Sequence, residues 1–351
     1  MATVSPLLTD LVAAGITSVP ETYVRPPSDR PNLHHISNPS DSSIPLIDLA
    51  GLSGPRRSDV VREIGDACQN YGFFQVKNHG IPEEVVEKMM AAAAAYFQLP
   101  ESERRKDYSD DPMKATRLST SFNVRTEKAS CWRDYLRFRC YPLEDHIHDW
   151  PSNPPAFRND VAEYCTAARG LALRLLEAIS ESLGLPPEYI GQALGRHGQH
   201  MAINYYPPCP QPELTYGLPV HTDPNAITLL LQQNNVAGLQ VLKEGRWVGV
   251  APVPGALTVN VGDQVQVLSN GRYPSVLHRA VVSRDVERIS IPTFYCPSLD
   301  AVMAPAPPLV DERHPPAYRS FTYGEYFAEF WNRGLATETC LDKFRVVPFA
   351  G

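Results

Sequence analysis

Two histidines and one aspartate in the second half of the chain are candidate ligands for a metal ion. His221 and Asp223 are separated by one residue, and His278 follows His221 by 57 positions (278 − 221 = 57). Two histidines and one carboxylate can occupy one face of an Fe(II) ion and leave its other positions open for an organic co-substrate and oxygen. In an extended segment, residues i and i+2 point the same way, so we expect His221 and Asp223 to project together from one strand. This pattern makes the chain an oxygenase candidate.

Zinc is the competing metal, since two histidines and a carboxylate also form a catalytic zinc site. Arg288 and Ser290, which follow His278 closely, favour iron. They share one face of a predicted strand, where a guanidinium can hold a carboxylate with two parallel hydrogen bonds and a hydroxyl can supply one more. Together they fit the distal carboxylate of a dicarboxylic keto acid. In isolation, a solvated Arg288 paired with Asp285 or Glu287 is the simpler interpretation.

The composition argues against several classes of function. The 351 residues carry a formal net charge of −7 and no run of lysine and arginine, which is unlike a nucleic-acid binder. The seven cysteines are an odd number in a chain too large to need disulfides, which predicts a reducing compartment. Residues 1–15 lack the basic start of a secretory signal, and no apolar run approaches the roughly 18 residues of a membrane span. We therefore expect a cytoplasmic protein with no nucleic-acid or membrane partner, and the nucleus stays open as a second location.

The elements that must position these residues differ between the two halves of the chain. Residues 6–15 predict a short helix ended by Gly15, and helical periodicity recurs at residues 60–70, 83–97 and 157–183. Short strands are predicted at residues 44–49 and 72–76. We expect four regions: an N-terminal helix and arm (1–43), a mainly helical region (44–198), a metal- and keto-acid-binding core (199–300), and a C-terminal loop and helix that cover the core (301–351).

The second half is predicted to be a β-sandwich or barrel, because short apolar segments alternate with Gly, Pro and Asn turns. The predicted strands are residues 201–205, 228–231, 239–242, 247–250, 256–261, 279–283 and 289–296. A closing helix at residues 323–333 carries Tyr326, Phe327, Phe330 and Trp331. We expect this helix to pack over the mouth of the barrel, an arrangement that suits a monomer.

Four motifs in this order resemble the plant 2-oxoglutarate and Fe(II)-dependent dioxygenases, over most of residues 44 to 340. The motifs are Tyr71-Gly72-Phe73-Phe74-Gln75-Val76-Lys77-Asn78-His79-Gly80-Ile81-Pro82, Asn204-Tyr205-Tyr206-Pro207-Pro208-Cys209-Pro210, His221-Thr222-Asp223 with His278, and Arg288-Ile289-Ser290. The resemblance implies an α+β fold in which helices flank a double-stranded β-helix (jelly-roll) core. It also implies that His221, Asp223 and His278 hold Fe(II).

The same resemblance implies a role for the keto acid. 2-Oxoglutarate would chelate iron through its C1 carboxylate and keto oxygen, with Asn204 near the C1 end. Its C5 carboxylate would contact Arg288, Ser290 and the hydroxyl of Tyr206. Reaction with O₂ would release CO₂ and succinate, and hydrogen would be abstracted from the prime substrate. Stimulation by ascorbate is also implied, and a dry apolar wall should prevent wasteful reactions.

Within that family, three segments look most like the downy-mildew-resistance-6-like group, whose members hydroxylate salicylic acid or convert flavanones to flavones. The segments are Thr120 to Val124, Trp132 to Arg137 and Gln199 to Asn204. The resemblance implies a role in plant defence and a small aromatic substrate. The candidate substrate residues are Phe122, Tyr135, Arg137, Ala202 and Phe294.

Three of these candidates bear on the kind of substrate. Ala202 stands where anthocyanidin-synthase-type members have a lysine, and Phe294 matches the position where flavonoid-oxidising members stack the substrate ring. If residues 135–139 form a strand, Arg137 and Arg139 share a face, and one of them can pair with the carboxylate of an aromatic acid such as salicylate. Surface ion pairs with Asp134 or Glu144 are the alternative for these arginines.

The leading hypothesis is hydroxylation of salicylic acid or a related phenolic acid. The first alternative is flavanone oxidation of the flavone synthase I or flavanone 3-hydroxylase type. An oxidase of the same fold that uses ascorbate or no keto acid is another. A non-catalytic, metal-dependent small-molecule-binding protein is the alternative from a different class, although no predicted ligand or clamp residue is missing. The sequence leaves hydroxylation against desaturation open.

Overall fold

The computed structural model describes residues 6–31, 44–111, 113–122, 127–334 and 339–346. Residues 32–43 of the predicted arm, and Asn123 and Val124 of one substrate-group motif, lie outside the described residues. Among the described residues, no helix is both long and apolar enough to cross a bilayer.

The long helices follow the predicted periodicity closely. The capping box of Thr322 and Glu325 begins the closing helix, because each side chain accepts a hydrogen bond from the other residue's backbone N–H. Glu83 and Glu84 lie in the first turn of the alanine-rich helix, where negative charge is favourable. The helices are α1 (Leu8–Ala13), α2 (Arg57–Asn70), α3 (Glu83–Phe97), α4 (Glu101–Arg104), α5 (Leu143–His146), α6 (Phe157–Ser182), α7 (Tyr189–Ala193), α8 (Asp263–Leu268) and α9 (Tyr323–Arg333).

The strands form a large sheet, a small sheet and a two-stranded ribbon. They are β1 (Leu46–Asp48), β2 (Phe73–Lys77), β3 (Arg117–Thr120), β4 (Asp134–Tyr141), β5 (Gly198–Tyr206), β6 (Leu218–His221), β7 (Ile227–Gln232), β8 (Leu239–Lys243), β9 (Arg246–Val250), β10 (Leu257–Val261), β11 (His278–Ala280), β12 (Arg288–Cys296), β13 (Val302–Met303) and β14 (Phe321–Thr322). The large sheet has the order β1-β2-β10-β7-β12-β5-β4-β3, the small sheet β6-β11-β8-β9, and the ribbon pairs β13 with β14.

The two main sheets and their flanking helices make the predicted jelly-roll core. Strand β12 lies inside the large sheet, antiparallel to β5 on one side and to β7 on the other. Strands β1 to β4, from the mainly helical region, extend this sheet at both edges. The helices α2, α3 and α6 pack together and against the large sheet, burying Leu171, Leu175 and Ile179 with Phe74 and Ile291. The opposite face of the sheet is left to form a cavity.

The two strands that carry metal-ligand candidates differ from the prediction. Strand β6 ends at His221, so the expectation that His221 and Asp223 project from one strand is wrong. Asp223 lies in the following turn, just before Pro224, which has no N–H to continue a ladder. Strand β11 covers His278–Ala280 rather than residues 279–283, and its pairing with β6 shifts register between His278 and Ala280.

Candidate metal and keto-acid site

The three metal-ligand candidates converge at one edge of the small sheet. His221 and His278 are cross-strand partners on β6 and β11, and their ring centroids are 4.1 Å apart. Asp223 Oδ1 lies 3.8 Å from His221 Nε2 and 3.6 Å from His278 Nε2. One potential ligand atom from each residue lies within 4.8 Å of the others, so all three can bind the same ion.

Backbone carbonyls orient both imidazoles for metal binding. Nδ1 of His221 lies 2.8 Å from the carbonyl oxygen of Pro219, and Nδ1 of His278 lies 3.1 Å from that of Val276. A carbonyl oxygen only accepts, so each Nδ1 must carry the proton and donate it. Each Nε2 therefore keeps its lone pair free for a metal ion.

Two residues outside the predicted set orient Asp223. Its Oδ2 accepts hydrogen bonds from Asn260 Nδ2 at 2.7 Å and from Thr228 Oγ1 at 2.5 Å. These donors lie on β10 and β7 of the large sheet, opposite the strands that carry the histidines. Because Oδ2 is occupied, Oδ1 is the oxygen that faces the two imidazoles. No local motif marks Asn260 or Thr228, which explains why the sequence did not reveal them.

The protonation states also suit a divalent metal. Burial, and after it the neighbouring His278, lower the pKa of His221 to about 3, which favours the neutral form. For Asp223, burial acts to raise the pKa, but the two histidines and the hydrogen bonds from Asn260 and Thr228 bring it below the ordinary value. A neutral imidazole and an ionised carboxylate are the forms that bind a metal ion.

The predicted keto-acid clamp is assembled on adjacent strands of the large sheet. Arg288 and Ser290 on β12 lie opposite Tyr206 and Asn204 on β5. The guanidinium of Arg288 is 5.3 Å from the centre of the Tyr206 ring. Its Nη2 donates to Gln232 Oε1 at 2.8 Å. All of the predicted clamp residues therefore meet on one face of the sheet.

Arg288 has the properties of an anion-binding residue. It is buried, and its Nε has no hydrogen-bond partner among the described residues. It is not the solvated residue paired with Glu287 that the sequence left open, because Glu287 accepts from the Tyr205 hydroxyl instead. A buried guanidinium is costly unless an acceptor satisfies it, so a carboxylate ligand fits this position.

Asn204 is tied to the same group of side chains. Its Nδ2 donates to Ser290 Oγ at 3.3 Å, and its Oδ1 accepts from Arg133 Nη1 at 2.8 Å. The amide is therefore held on both sides. Its expected contact with the C1 end of the keto acid stays a prediction.

A cavity of about 190 Å³ lies between the metal triad, the clamp and the closing helix. All five candidate substrate residues line it, together with Phe327, Phe330 and Trp331 of α9, as expected for a helix over the barrel mouth. The Phe122 ring stacks on Trp331 with centroids 5.1 Å apart and planes 7° apart. The guanidinium of Arg137 lies 5.4 Å from the same indole ring. The cavity is thus closed by aromatic rings with a cation beside them.

The remaining residues of β4 have separate roles. The Tyr135 hydroxyl accepts from Arg117 and donates to the carbonyl of Phe122 at 3.0 Å, so it holds the loop that carries Phe122. Asp134 is not a partner for the cavity arginines, because its carboxylate accepts from the backbone N–H groups of Leu8 and Thr9 at the start of α1. Arg139, on the same strand, is exposed.

Comparison with known proteins agrees with this fold. Residues 197–297 match the 2OG-Fe(II) oxygenase superfamily, and residues 44–157 match the N-terminal region described as non-haem dioxygenase in morphine synthesis. The chain belongs to the 2OG-Fe(II) oxygenase superfamily. It is a 2-oxoglutarate-dependent dioxygenase, with Fe(II) as its metal and 2-oxoglutarate, O₂ and a small molecule as its substrates.

Particular relatives cover nearly the whole chain. Protein DMR6-LIKE OXYGENASE 2 of Arabidopsis thaliana is 58% identical over 97% of this chain and 98% of its own. Flavanone 3-dioxygenase 2 of Oryza sativa subsp. japonica is 54% identical over 93% of this chain and 94% of its own. The crystal structure of JOX2 in complex with 2OG, Fe and JA has a TM-score of 0.87 and 34% identity, and covers 98% of both chains. The family assignment favours an enzyme over the non-catalytic binding protein that the sequence left open.

Proposed function

We propose that this dioxygenase hydroxylates salicylic acid or a related phenolic acid. The observation that carries the proposal is the position of Arg137, a cation in the wall of a largely apolar cavity and next to the stacked rings of Phe122 and Trp331. Burial lowers the pKa of Arg137 to about 10, which leaves the guanidinium positively charged at neutral pH. A flat aromatic acid presents the two features that this wall matches, a ring and a carboxylate.

The floor and size of the cavity favour a small ring. Ala202 lies opposite Arg137 in the pairing of β4 with β5, so the floor beneath the guanidinium carries only a methyl group. Phe294 lies further along the same face, opposite His200. The cavity volume of about 190 Å³ is below the roughly 300–1,000 Å³ of common ligand pockets. A one-ring acid therefore fits this space better than a three-ring flavanone.

The metal-ligand candidates, the keto-acid clamp and the aromatic residues of α9 have separate roles in the proposed reaction. His221, Asp223 and His278 would hold Fe(II), which together with 2-oxoglutarate would supply the oxidising power for a C–H bond. Arg288, with Ser290 and Tyr206, would bind the C5 carboxylate of the keto acid, and Asn204 would contact its C1 end. The aromatic side chains of α9 exclude water from the reacting centre. Ascorbate is expected to stimulate turnover by keeping iron reduced.

The test compares turnover of salicylate and of the flavanone naringenin in Arg137→Ala. We expect kcat/KM for salicylate to fall by about 10-fold or more, because a charge-assisted hydrogen bond contributes about 1.5–3 kcal/mol. Naringenin, which has no carboxylate, should change by less than about two-fold. Arg137→Lys should recover part of the salicylate activity, since it keeps the charge. An equal loss on both substrates would mean that Arg137 does not bind a carboxylate.

A matched control is available on the same strand. Arg139 lies on the same face of β4 as Arg137 but is exposed. Arg139→Ala should leave turnover of both substrates unchanged. Succinate formed per substrate consumed is measured in the same assay, and a ratio near one separates this enzyme from an oxidase that uses no keto acid.

The second candidate function is flavanone oxidation. It is supported by the 54% identity with Flavanone 3-dioxygenase 2 and by the aromatic ring of Phe294 in the cavity wall. The same substrate panel decides between the two functions. A kcat/KM for naringenin well above that for salicylate and other phenolic acids would favour the flavanone, and the product mass would then distinguish hydroxylation from desaturation.

The proposed function includes a location and an assembly state. We expect a monomer in the cytoplasm, with the nucleus as a second location. Its expected biological role is in plant defence. Its net charge of −7 and its metabolite-sized cavity support a small-molecule enzyme rather than a nucleic-acid binder. Size-exclusion chromatography with light scattering tests the monomer: a mass near 39.0 kDa is expected, and twice that mass would contradict it.

A further inference from the structure

A buried carboxylate, Asp263, is bonded directly to the segment that carries two of the metal-ligand candidates. Its Oδ2 accepts a hydrogen bond from Thr222 Oγ1 at 3.3 Å, and Thr222 lies between His221 and Asp223 in the chain. Its backbone N–H donates to the carbonyl oxygen of Asp223 at 2.9 Å. Asp263 is not among the predicted site residues, and it is not one of the residues that can hold the metal.

The contact between the two segments is extensive. Gly262 N–H donates to the carbonyl of Ala226 at 2.8 Å, and Gln264 Nε2 donates to that of Pro224 at 2.9 Å. A Cβ at Gly262 would lie 2.1 Å from the carbonyl oxygen of Asn225, so the close approach requires glycine at this position. The start of α8 therefore holds, by hydrogen bonds, the turn that carries the metal-ligand candidates, which we call the metal-ligand turn.

The closing helix reaches the same carboxylate from the other side. The hydroxyl of Tyr326 on α9 donates to Asp263 Oδ2, the oxygen that also accepts from Thr222. Both Tyr326 and Asp263 are fully buried. The next residue of α9, Phe327, lines the cavity, as do Phe330 and Trp331. The same helix thus closes the substrate cavity and contacts Asp263, which is bonded to the metal-ligand turn.

We propose that Asp263 is a positioning residue for the metal site, and that the Tyr326 hydroxyl fixes Asp263 so that the closing helix helps to set the spacing of His221 and Asp223. This inference is independent of which small molecule is oxidised. Oδ2 of Asp263 accepts from the hydroxyls of Thr222 and Tyr326, whereas its buried Oδ1 has no hydrogen-bond partner among the described residues. Removal of one donor leaves the remaining hydrogen bonds to hold a group that is expensive to bury.

The experiment measures metal binding rather than activity. Metal-free full-length protein is titrated with Fe(II) under anaerobic conditions, without keto acid or substrate, in the wild type and in Tyr326→Phe. Loss of a partner that orients a metal ligand typically weakens metal affinity by about 10- to 100-fold. We expect a loss of about 10-fold in Tyr326→Phe, because Thr222 and the backbone contacts remain.

Tyr318→Phe is the matched control. The Tyr318 hydroxyl is also buried and also contacts α8, where it accepts from Gln266 Nε2 at 2.6 Å, away from the metal-ligand turn. Both variants lose one buried hydroxyl, so their metal-free melting temperatures should fall by similar amounts. Tyr318→Phe should keep the wild-type affinity for Fe(II).

The outcomes separate positioning from general stability. An Fe(II) affinity in Tyr326→Phe within two-fold of wild type would overturn the proposal, and so would an equal loss in Tyr318→Phe. If Tyr326→Phe does not fold, Thr222→Val removes the other donor to Asp263 and leaves Tyr326 in place. A loss of Fe(II) affinity of about 10-fold is expected there as well, and an unchanged affinity would overturn the proposal.

Discussion

Gly238 lies directly against the side chain of Arg288. A Cβ at this position would be 2.8 Å from Cδ and 2.9 Å from Nε of Arg288, and 3.1 Å from the carbonyl oxygen of Val281. Val281 directly follows β11, so its backbone cannot move without disturbing that strand. The side chain of Arg288 would therefore have to shift. The orientation of the guanidinium in the keto-acid clamp therefore depends on the absence of a side chain just before β8.

Gly238→Ala should weaken binding of 2-oxoglutarate. We expect its KM to rise by about 10-fold, because a displaced guanidinium loses at least one charge-assisted hydrogen bond worth about 1.5–3 kcal/mol. Succinate formation as a function of 2-oxoglutarate concentration measures the change. Fe(II) affinity should not change, since the triad is not in contact with Gly238.

Gly170→Ala controls for the exchange of glycine for alanine. Gly170 lies within α6, and a Cβ there meets nothing within 4 Å. This variant should keep the wild-type KM for 2-oxoglutarate. A KM in Gly238→Ala equal to that of Gly170→Ala would contradict the dependence of Arg288 on Gly238.

Asn260→Ala should weaken metal binding without an equal effect on the keto-acid clamp. The variant removes the 2.7 Å hydrogen bond to Asp223 Oδ2 and leaves Thr228 as the side-chain donor that orients the carboxylate. A loss of Fe(II) affinity of about 10- to 100-fold is expected in an anaerobic titration.

Thr258, two residues earlier on β10, accepts a hydrogen bond from Gln232, which in turn accepts one from Arg288. Thr258→Val should therefore affect the KM for 2-oxoglutarate and spare Fe(II) affinity, and the reverse pattern would contradict both assignments.

His200 on the cavity floor should make stability depend on pH. Burial, with the nearby charges of Arg137 and Arg139, lowers the pKa of His200 from 6.5 to about 3. Between these two values the unfolded chain binds a proton that the folded chain does not, so the free energy of unfolding falls as pH decreases from about 6.5 towards about 3. Above about 6.5 the contribution to pH dependence vanishes.

Urea unfolding of the wild type and of His200→Gln at several pH values measures this effect. The difference in unfolding free energy between the two proteins should be constant above pH about 7 and should shift in favour of the variant as the solution becomes acidic. His148, which is exposed, provides the control, and His148→Gln should follow the wild-type profile. Parallel profiles for the wild type and His200→Gln would rule out a neutral buried His200.

Trp331→Ala should uncouple keto-acid consumption from substrate oxidation. The change removes the ring that stacks on Phe122 and opens the cavity to water, which promotes side reactions. We expect the ratio of succinate to hydroxylated product to rise above one. Glu329→Ala, on the same helix but bonded to Lys343 at the surface, should leave the ratio unchanged. A ratio of one in Trp331→Ala would show that α9 does not exclude water.

The sequence predicted those elements whose signal is local. Helical periodicity predicted α3 and α6, and the two-residue period placed Arg288 and Ser290 on one face of β12. The prediction was wrong where non-local pairing decides. Strand β6 stops at His221 because the turn that follows is hydrogen-bonded to α8. One of these bonds joins Thr222 to Asp263, which are 41 residues apart in the chain.

The supporting residues of the site could not be found from spacing. Asn260 and Thr228 reach Asp223 from other strands, and Gly238 matters only because Arg288 crosses its position. Such contacts depend on strand order in the folded sheets, which a single sequence does not specify. Glycine inside a β-rich segment was the one available hint, since it often marks a close approach of another group.

We propose that His221, Asp223 and His278 bind one Fe(II) ion beside a keto acid held by Arg288. Anaerobic calorimetric titration of the metal-free protein with Fe(II), followed by 2-oxoglutarate, tests it directly in the wild type, His278→Ala and Arg288→Ala. We expect one Fe(II) per wild-type chain, loss of that binding in His278→Ala, and normal Fe(II) binding with weakened 2-oxoglutarate binding in Arg288→Ala. Wild-type affinity for Fe(II) in His278→Ala would contradict the shared metal site.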